Sequence, residues 1–150
     1  MAVRKGAPKP DISSPEAFKR ALLAAKSIAY PNPARGSAGG VHFAKVLDQL
    51  GIANEMKPKT VFSTPPAVVG DLVSKGEAEL GVQQLHELMP VAGIEIVGPL
   101  PGDLQSPIVF AAAIMGGTKQ TDASKALINF LRTPDAAALI KAKGMEPATP

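Results

Sequence analysis

The side chains able to do chemistry are few. His42 and His86 stand far apart, cysteine is absent, and no H-x-x-x-H spacing or dense carboxylate cluster completes a metal shell. The sequence therefore calls for no metal and no cofactor. Arg35-Gly36-Ser37-Ala38-Gly39 approaches a nucleophile elbow, but G-x-S-x-G needs glycine where Arg35 stands. The same loop lacks the lysine of a phosphate-binding loop, and Ala38 fills the second glycine position of G-x-G-x-x-G. Two junctions remain, residues 36–41 and 63–67, where small or hydroxyl-bearing residues precede a helical pattern. Helix beginnings carry unpaired amides and the positive end of the dipole, so each junction can hold an oxyanion without a basic side chain. The bland account is that the glycines make turns and the hydroxyls cap helices.

The elements that position these junctions follow from spacing. Ser14-Pro15-Glu16 supplies an N-cap, a first-turn proline and an early carboxylate, and Phe18, Ala21, Leu22 and Ala25 recur at helical intervals, which predicts a helix over 15–25. Ser27-Ile28-Ala29-Tyr30 reads as a buried strand stopped by Pro31-Asn32-Pro33. Val41, Ala44, Leu47 and Leu50 then mark a helix that Gly51 ends. The pattern repeats: Thr60-Val61-Phe62 is a strand, Ser63-Thr64-Pro65-Pro66 a capped start, and Val69, Leu72 and Val73 a helix face. Further strands are expected at 80–83, 91–99 and 108–114, and two helices close the chain, one opening at Thr121 or Asp122 and one at Thr133. Strands alternating with helices argue an α/β fold with a mainly parallel sheet. Both junctions then lie at the carboxyl edge of the sheet, where open α/β sheets bind ligands.

Gln83 and Gln84 follow a strand directly, so one amide faces the crevice, and Gln84 is the candidate. His42 sits in the first turn of its helix, and Glu87 beside His86 suits either a polar site pair or a solvated loop. Met89 and Met115 read as core or gap-filling residues.

Composition bounds the partners. The 150 residues, 45% of them hydrophobic, suffice for one ordinary core. A net charge of +3 from dispersed Lys and Arg, one Tyr and no Trp argue against a nucleic-acid groove or a base-stacking platform. The longest apolar stretch is about half of a membrane span, and the N-terminal residues have no apolar signal core.

Four segments carry a family resemblance: residues 3–12, residues 29–45 with Gly39-Gly40-Val41-His42-Phe43-Ala44-Lys45, Lys75-Gly76-Glu77-Ala78-Glu79-Leu80-Gly81-Val82-Gln83, and Phe130-Leu131-Arg132-Thr133-Pro134-Asp135-Ala136-Ala137. In order and spacing they resemble the molybdate-type periplasmic solute-binding proteins of ABC importers. The resemblance implies a type 2 periplasmic-binding-protein fold, with two α/β lobes joined by crossover strands and a ligand between them. Residues 1–10 become a crossover strand, 11–107 the second, closing lobe, and 108–150 the return crossover and C-terminal helices of an incomplete first lobe. It implies a periplasmic protein that binds a small anion or polar solute, serves an ABC permease and is not an enzyme. The family's contacts carry over to Ser37, Gly39, Gly40, Val41, Pro66, Ala67 and Gln84; Gln84 stands where molybdate binders have tyrosine, and Pro66 offers no amide. The chain reads as starting at the first crossover, which leaves Leu127, Phe130, Leu131, Leu139 and Ile140 without the sheet they would cover and points to a homodimer or domain-swapped oligomer. Two other classes stay open: an effector-sensing module of related fold, although no helix-turn-helix segment is present, and a serine hydrolase-like enzyme using Ser37 and His42.

Overall fold

The computed structural model describes residues 1–147, so the last three residues of the C-terminal segment lie outside it. The chain forms two compact units, Met1–Ile108 and Val109–Pro150.

The first unit is built on five strands: β1 Ala2–Arg4, β2 Ile28–Pro31, β3 Thr60–Ser63, β4 Leu80–Gly81 and β5 Ile94–Ile96, in the order β3-β2-β4-β1-β5. β2 is parallel to β3 and β4, while β1 runs antiparallel to β4 and β5. Four strands therefore share one direction and β1 alone is reversed, a mixed α/β sheet that remains mainly parallel. Parallel neighbours need a helical crossover. α2 Ala38–Gln49 and the short α3 Ala53–Met56 supply it between β2 and β3, and α4 Val69–Ser74 supplies it between β3 and β4. All four residues of β2 are buried, as a central strand covered on both faces requires.

Helix ends follow local chemistry. α1 Pro15–Ala24 starts where Ser14 Oγ accepts from the Ala17 amide at 3.1 Å, with Pro15 in its first turn, and buries Phe18 and Leu22. α2 starts at Ser37 and stops before Gly51, whose φ of +66° suits glycine.

Strand alternation separates the two faces of the sheet by residue size. Across β1, β4 and β2 the register aligns Val3, Leu80 and Ile28, which pack with Phe18, Leu22, Phe43 and Val46. The next rung aligns Ala2, Gly81 and Ala29, and on it sits α4 with Val69, Leu72 and Val73. This row of small residues lets α4 come close: a methyl on Gly81 would stand 2.7 Å from Val73 Cγ2 and 2.9 Å from Val69 Cγ1. α4 is tight on another side as well, since a methyl on Gly70 would stand 2.8 Å from Val91 Cγ2. On the large-residue face Tyr30 meets Phe43 at 4.9 Å and Phe62 at 5.1 Å, both edge-on.

In the second unit α6 Thr121–Leu131 and α7 Pro134–Ala142 touch, and Thr133 Oγ1 caps α7 by accepting from the Ala136 amide at 3.3 Å. The four-residue α5, Leu85–Leu88, belongs to the first unit. Leu127, Phe130, Leu131 and Leu139 are exposed, whereas Ile140 is partly covered. Among the described residues no helix is long and apolar enough to cross a membrane.

Three sequence expectations need correction. No strand forms over residues 108–114 among the described residues, because an apolar run becomes a strand only within a backbone ladder and composition alone does not supply one. The helix expected to start at 63–67 begins at Val69. Thr64 and Pro65 each precede a proline, which disfavours the helical region, and residues 64–67 close a turn in which the Ala67 amide donates to the Thr64 carbonyl at 3.0 Å. Met89 and Met115, expected inside, are exposed.

Gly81→Ala is expected to destabilise the chain by about 1–3 kcal/mol, since the β-branched Val69 and Val73 cannot swing aside. Urea titration against wild type measures the shift.

Candidate functional site

Because β2 and β3 are parallel neighbours, the turns that follow them leave the sheet at one edge, and the segment after β4 joins them there. Between the three lies a cavity of about 310 Å³. The turn after β2 contributes Asn32, Arg35, Gly36 and Ser37, the turn after β3 contributes Ser63 and residues 65–68, and the segment after β4 contributes Gln83 and Glu87.

Each wall has a local cause. Asn32 Oδ1 accepts from the Ala34 amide at 3.0 Å and Pro33 presets the following turn, which closes on Gly36 at φ +76°. That reversal delivers Ser37 as the N-cap of α2. Ser37 Oγ accepts from the Gly40 amide at 3.3 Å, and the Val41 amide donates to the Ser37 carbonyl at 2.9 Å. The helix start thus leaves Ala38 and Gly39 as the amides lacking an intrahelical acceptor. Gly40 is packed against the carbonyl of Pro31, which a Cβ would strike, whereas a Cβ on Gly39 would lie 3.6 Å from Gln84 Nε2.

Gln83 ties two walls together. Its Oε1 accepts from the Val69 amide at 3.0 Å and its Nε2 donates to Glu87 Oε2 at 2.7 Å. Turning the amide over would set N–H against N–H and oxygen against carboxylate, so the bonds fix its orientation. Asp71 Oδ2 accepts from the Val68 amide at 3.2 Å, and the first amides of α4 are thereby held by side chains. Ser63 is the buried polar residue among those described, and it lines the cavity. Arg35 and Glu87 bring opposite charges to the same space without pairing; among the described residues the ion pair is Lys9–Glu95, at 3.6 Å.

Ser37, Pro66 and Ala67 of the expected contacts line this cavity, with Pro66 and Ala67 in the turn rather than at a helix start. Gly39, Gly40, Val41 and Gln84 cluster at the α2 start beside it, with Gly40 buried and Val41 exposed. Ser37 and His42 do not meet as a nucleophile and base: the serine caps its helix and His42 Nε2 donates to the Leu104 carbonyl at 3.0 Å. Of the residues that line the cavity, Asn32 and Arg35 were passed over as contacts, Ser63 was read only as part of a junction, Glu87 only as a polar pair with His86 or a solvated loop, and Gln83 was set behind Gln84. Arg35 registered only as a motif mismatch. Gln83 lost to Gln84 because β4 ends at Gly81, after which strand alternation no longer decides direction.

Residues 1–146 match the family described as bacterial extracellular solute-binding protein. A Pseudomonas protein named aconitate isomerase is 41% identical over 150 residues, covering 98% of this chain and 55% of that protein. The molybdate-binding protein ModA of Azotobacter vinelandii is 34% identical over 122 residues, 79% of this chain and 46% of its own length. The chain thus spans about half the length of these curated relatives. Among solved structures, a substrate-binding domain assigned to a molybdenum ABC transporter of Clostridium difficile is similar in fold with a TM-score of 0.69 at 23% identity, over 87% of this chain and 57% of that one. The expectation of a chain that is not an enzyme is overturned by the isomerase relative. Missing motifs are no argument against activity, because a single carboxylate can move a proton without any motif.

Gly40→Ala is expected to cost about 1–3 kcal/mol through its clash with the Pro31 backbone, whereas Gly39→Ala should stay within about 1 kcal/mol of wild type or exceed it. Paired thermal melts distinguish the two glycines.

Proposed function

The chain belongs to the bacterial extracellular solute-binding protein family, and from that premise we propose that its cavity takes a small unsaturated polycarboxylate and interconverts its isomers, as the name of the Pseudomonas relative describes for that protein. The observation that carries this reading is the meeting of Arg35 and Glu87, unpaired, in one cavity with Ser37, Ser63 and Asn32. A guanidinium fork matches a carboxylate in two parallel hydrogen bonds. The amides of Ala38 and Gly39, at the start of the twelve-residue α2, add donors for a second carboxylate. Glu87 would repel a bare inorganic dianion but suits an organic acid whose carbon skeleton separates its charges.

A second reading keeps capture for import, with a periplasmic location and an ABC permease as partner. It draws on the molybdate-type resemblance and the ModA relative. The neutral donors at the α2 start favour it, since they hold an oxyanion without a basic side chain. The exposed Leu127, Phe130, Leu131 and Leu139 also support self-association as a homodimer.

Cis- and trans-aconitate should raise the melting temperature, with stabilisation of about 2.7 kcal/mol at a hundredfold excess over Kd. Arg35→Ala should weaken their binding by about 1.5–3 kcal/mol, the worth of a charged hydrogen bond, as read by calorimetry. Stabilisation by molybdate and not by aconitate supports the second reading and removes the first. Light scattering at micromolar concentration should give twice the chain mass, and a monomer removes the homodimer.

A further inference from the structure

We infer that Glu87 carries the proton in this isomerisation and that Gln83 is its positioning residue, an inference that rests on the polycarboxylate reading of the cavity. Interconverting geometric isomers requires that the double bond be lost for a moment. One polar route adds a nucleophile across it, allows rotation and expels the nucleophile; this chain has no cysteine to supply a thiol. The other route needs only a base. A C–H bond of the saturated methylene beside the double bond breaks, its proton passes to a carboxylate oxygen, and the electron pair spreads over the allylic carbons and the flanking carboxylates. The O–H bond then breaks and a C–H bond forms at the far allylic carbon, so that the double bond has moved. One proton leaves, one returns, and nothing is oxidised or reduced.

Glu87 is the acidic residue that lines the cavity. It sits on α5, which Leu88 anchors by burial against Val69 and Val73. One oxygen, Oε2, is held by Gln83 Nε2 at 2.7 Å, and a carboxylate has acceptor capacity beyond that bond. Gln83 cannot turn away, because its other end accepts from Val69 at the tightly seated start of α4. A neutral amide aims the carboxylate without neutralising it, which a lysine or arginine in its place would do. Arg35, on the turn after β2, is placed to meet the negative charge that develops when the methylene proton leaves.

The test is proton exchange into trans-aconitate in deuterium oxide, followed by NMR together with the cis/trans ratio. Wild-type chain should introduce deuterium at the allylic carbons as it isomerises the substrate. Glu87→Gln should slow both processes by about 100-fold or more while calorimetry shows binding retained. Gln83→Leu should lower kcat by about 10-fold with KM little changed, a split that a loosened fold would not give. Glu87→Asp, which keeps the charge but withdraws it, should fall between wild type and Glu87→Gln; equal loss in the two variants overturns the assignment. Undiminished exchange in Glu87→Gln also overturns it and leaves the cavity's substrate class standing. Wild-type chain that binds no aconitate, or binds it without deuterium entering, overturns the underlying reading.

Discussion

The close seating of α4 on the rung formed by Ala2, Gly81 and Ala29 is the constraint from which the site follows. A helix held near the sheet by such small residues has little freedom to slide, because close-packed interiors resist displacement. Its first amide, at Val69, therefore occupies a fixed place, and Gln83, two residues beyond β4, bonds to it there. The same glutamine orients Glu87, so backbone packing is transmitted to a carboxylate in two hydrogen bonds. The opposite face, with Val3, Leu80 and Ile28 under α1 and α2, provides bulk burial.

One fold can serve solute capture or catalysis, since function rests on the residues that line the site. Anion binding at helix starts needs donors only, and an acidic residue among them works against affinity. Arg35 offsets that opposition without quenching Glu87, since the two do not pair and both face the same space. In the proposed function, binding and proton transfer draw on different members of one lining: donors on the turn after β2 and a base after β4. The chain's relatives include one named as a molybdate-binding protein and one named as an isomerase.

Much of the frame was legible in the sequence because it rests on local signals. Ser14 with Pro15, Ser37, and Gly51 mark helix ends, and the alternation of elements fixes parallel neighbours. That β2 and β3 release their turns at one edge follows from the same alternation. What was not legible depended on tertiary partners. Residues 108–114 have strand composition but do not form a strand, and the prolines at 65 and 66 delay a helix whose pattern starts earlier. Ser37, Pro66 and Ala67 come to the cavity from junctions visible in the sequence, whereas Arg35 and Glu87 belong to no motif and acquire meaning only when the turns converge. The choice between Gln83 and Gln84 lay past the end of β4, where periodicity carries no information.

Tyr30 gives this chain an optical character of its own. It is the single tyrosine in a sequence without tryptophan, wedged edge-on between Phe43 and Phe62. Phenylalanine absorbs weakly and at shorter wavelength, so the emission and the near-ultraviolet circular dichroism above its bands arise from one ring held in an asymmetric setting. The next residue, Pro31, pairs in register with Ser63, and both border the cavity. The chain thus carries a native chromophore one peptide unit from a residue that lines the cavity.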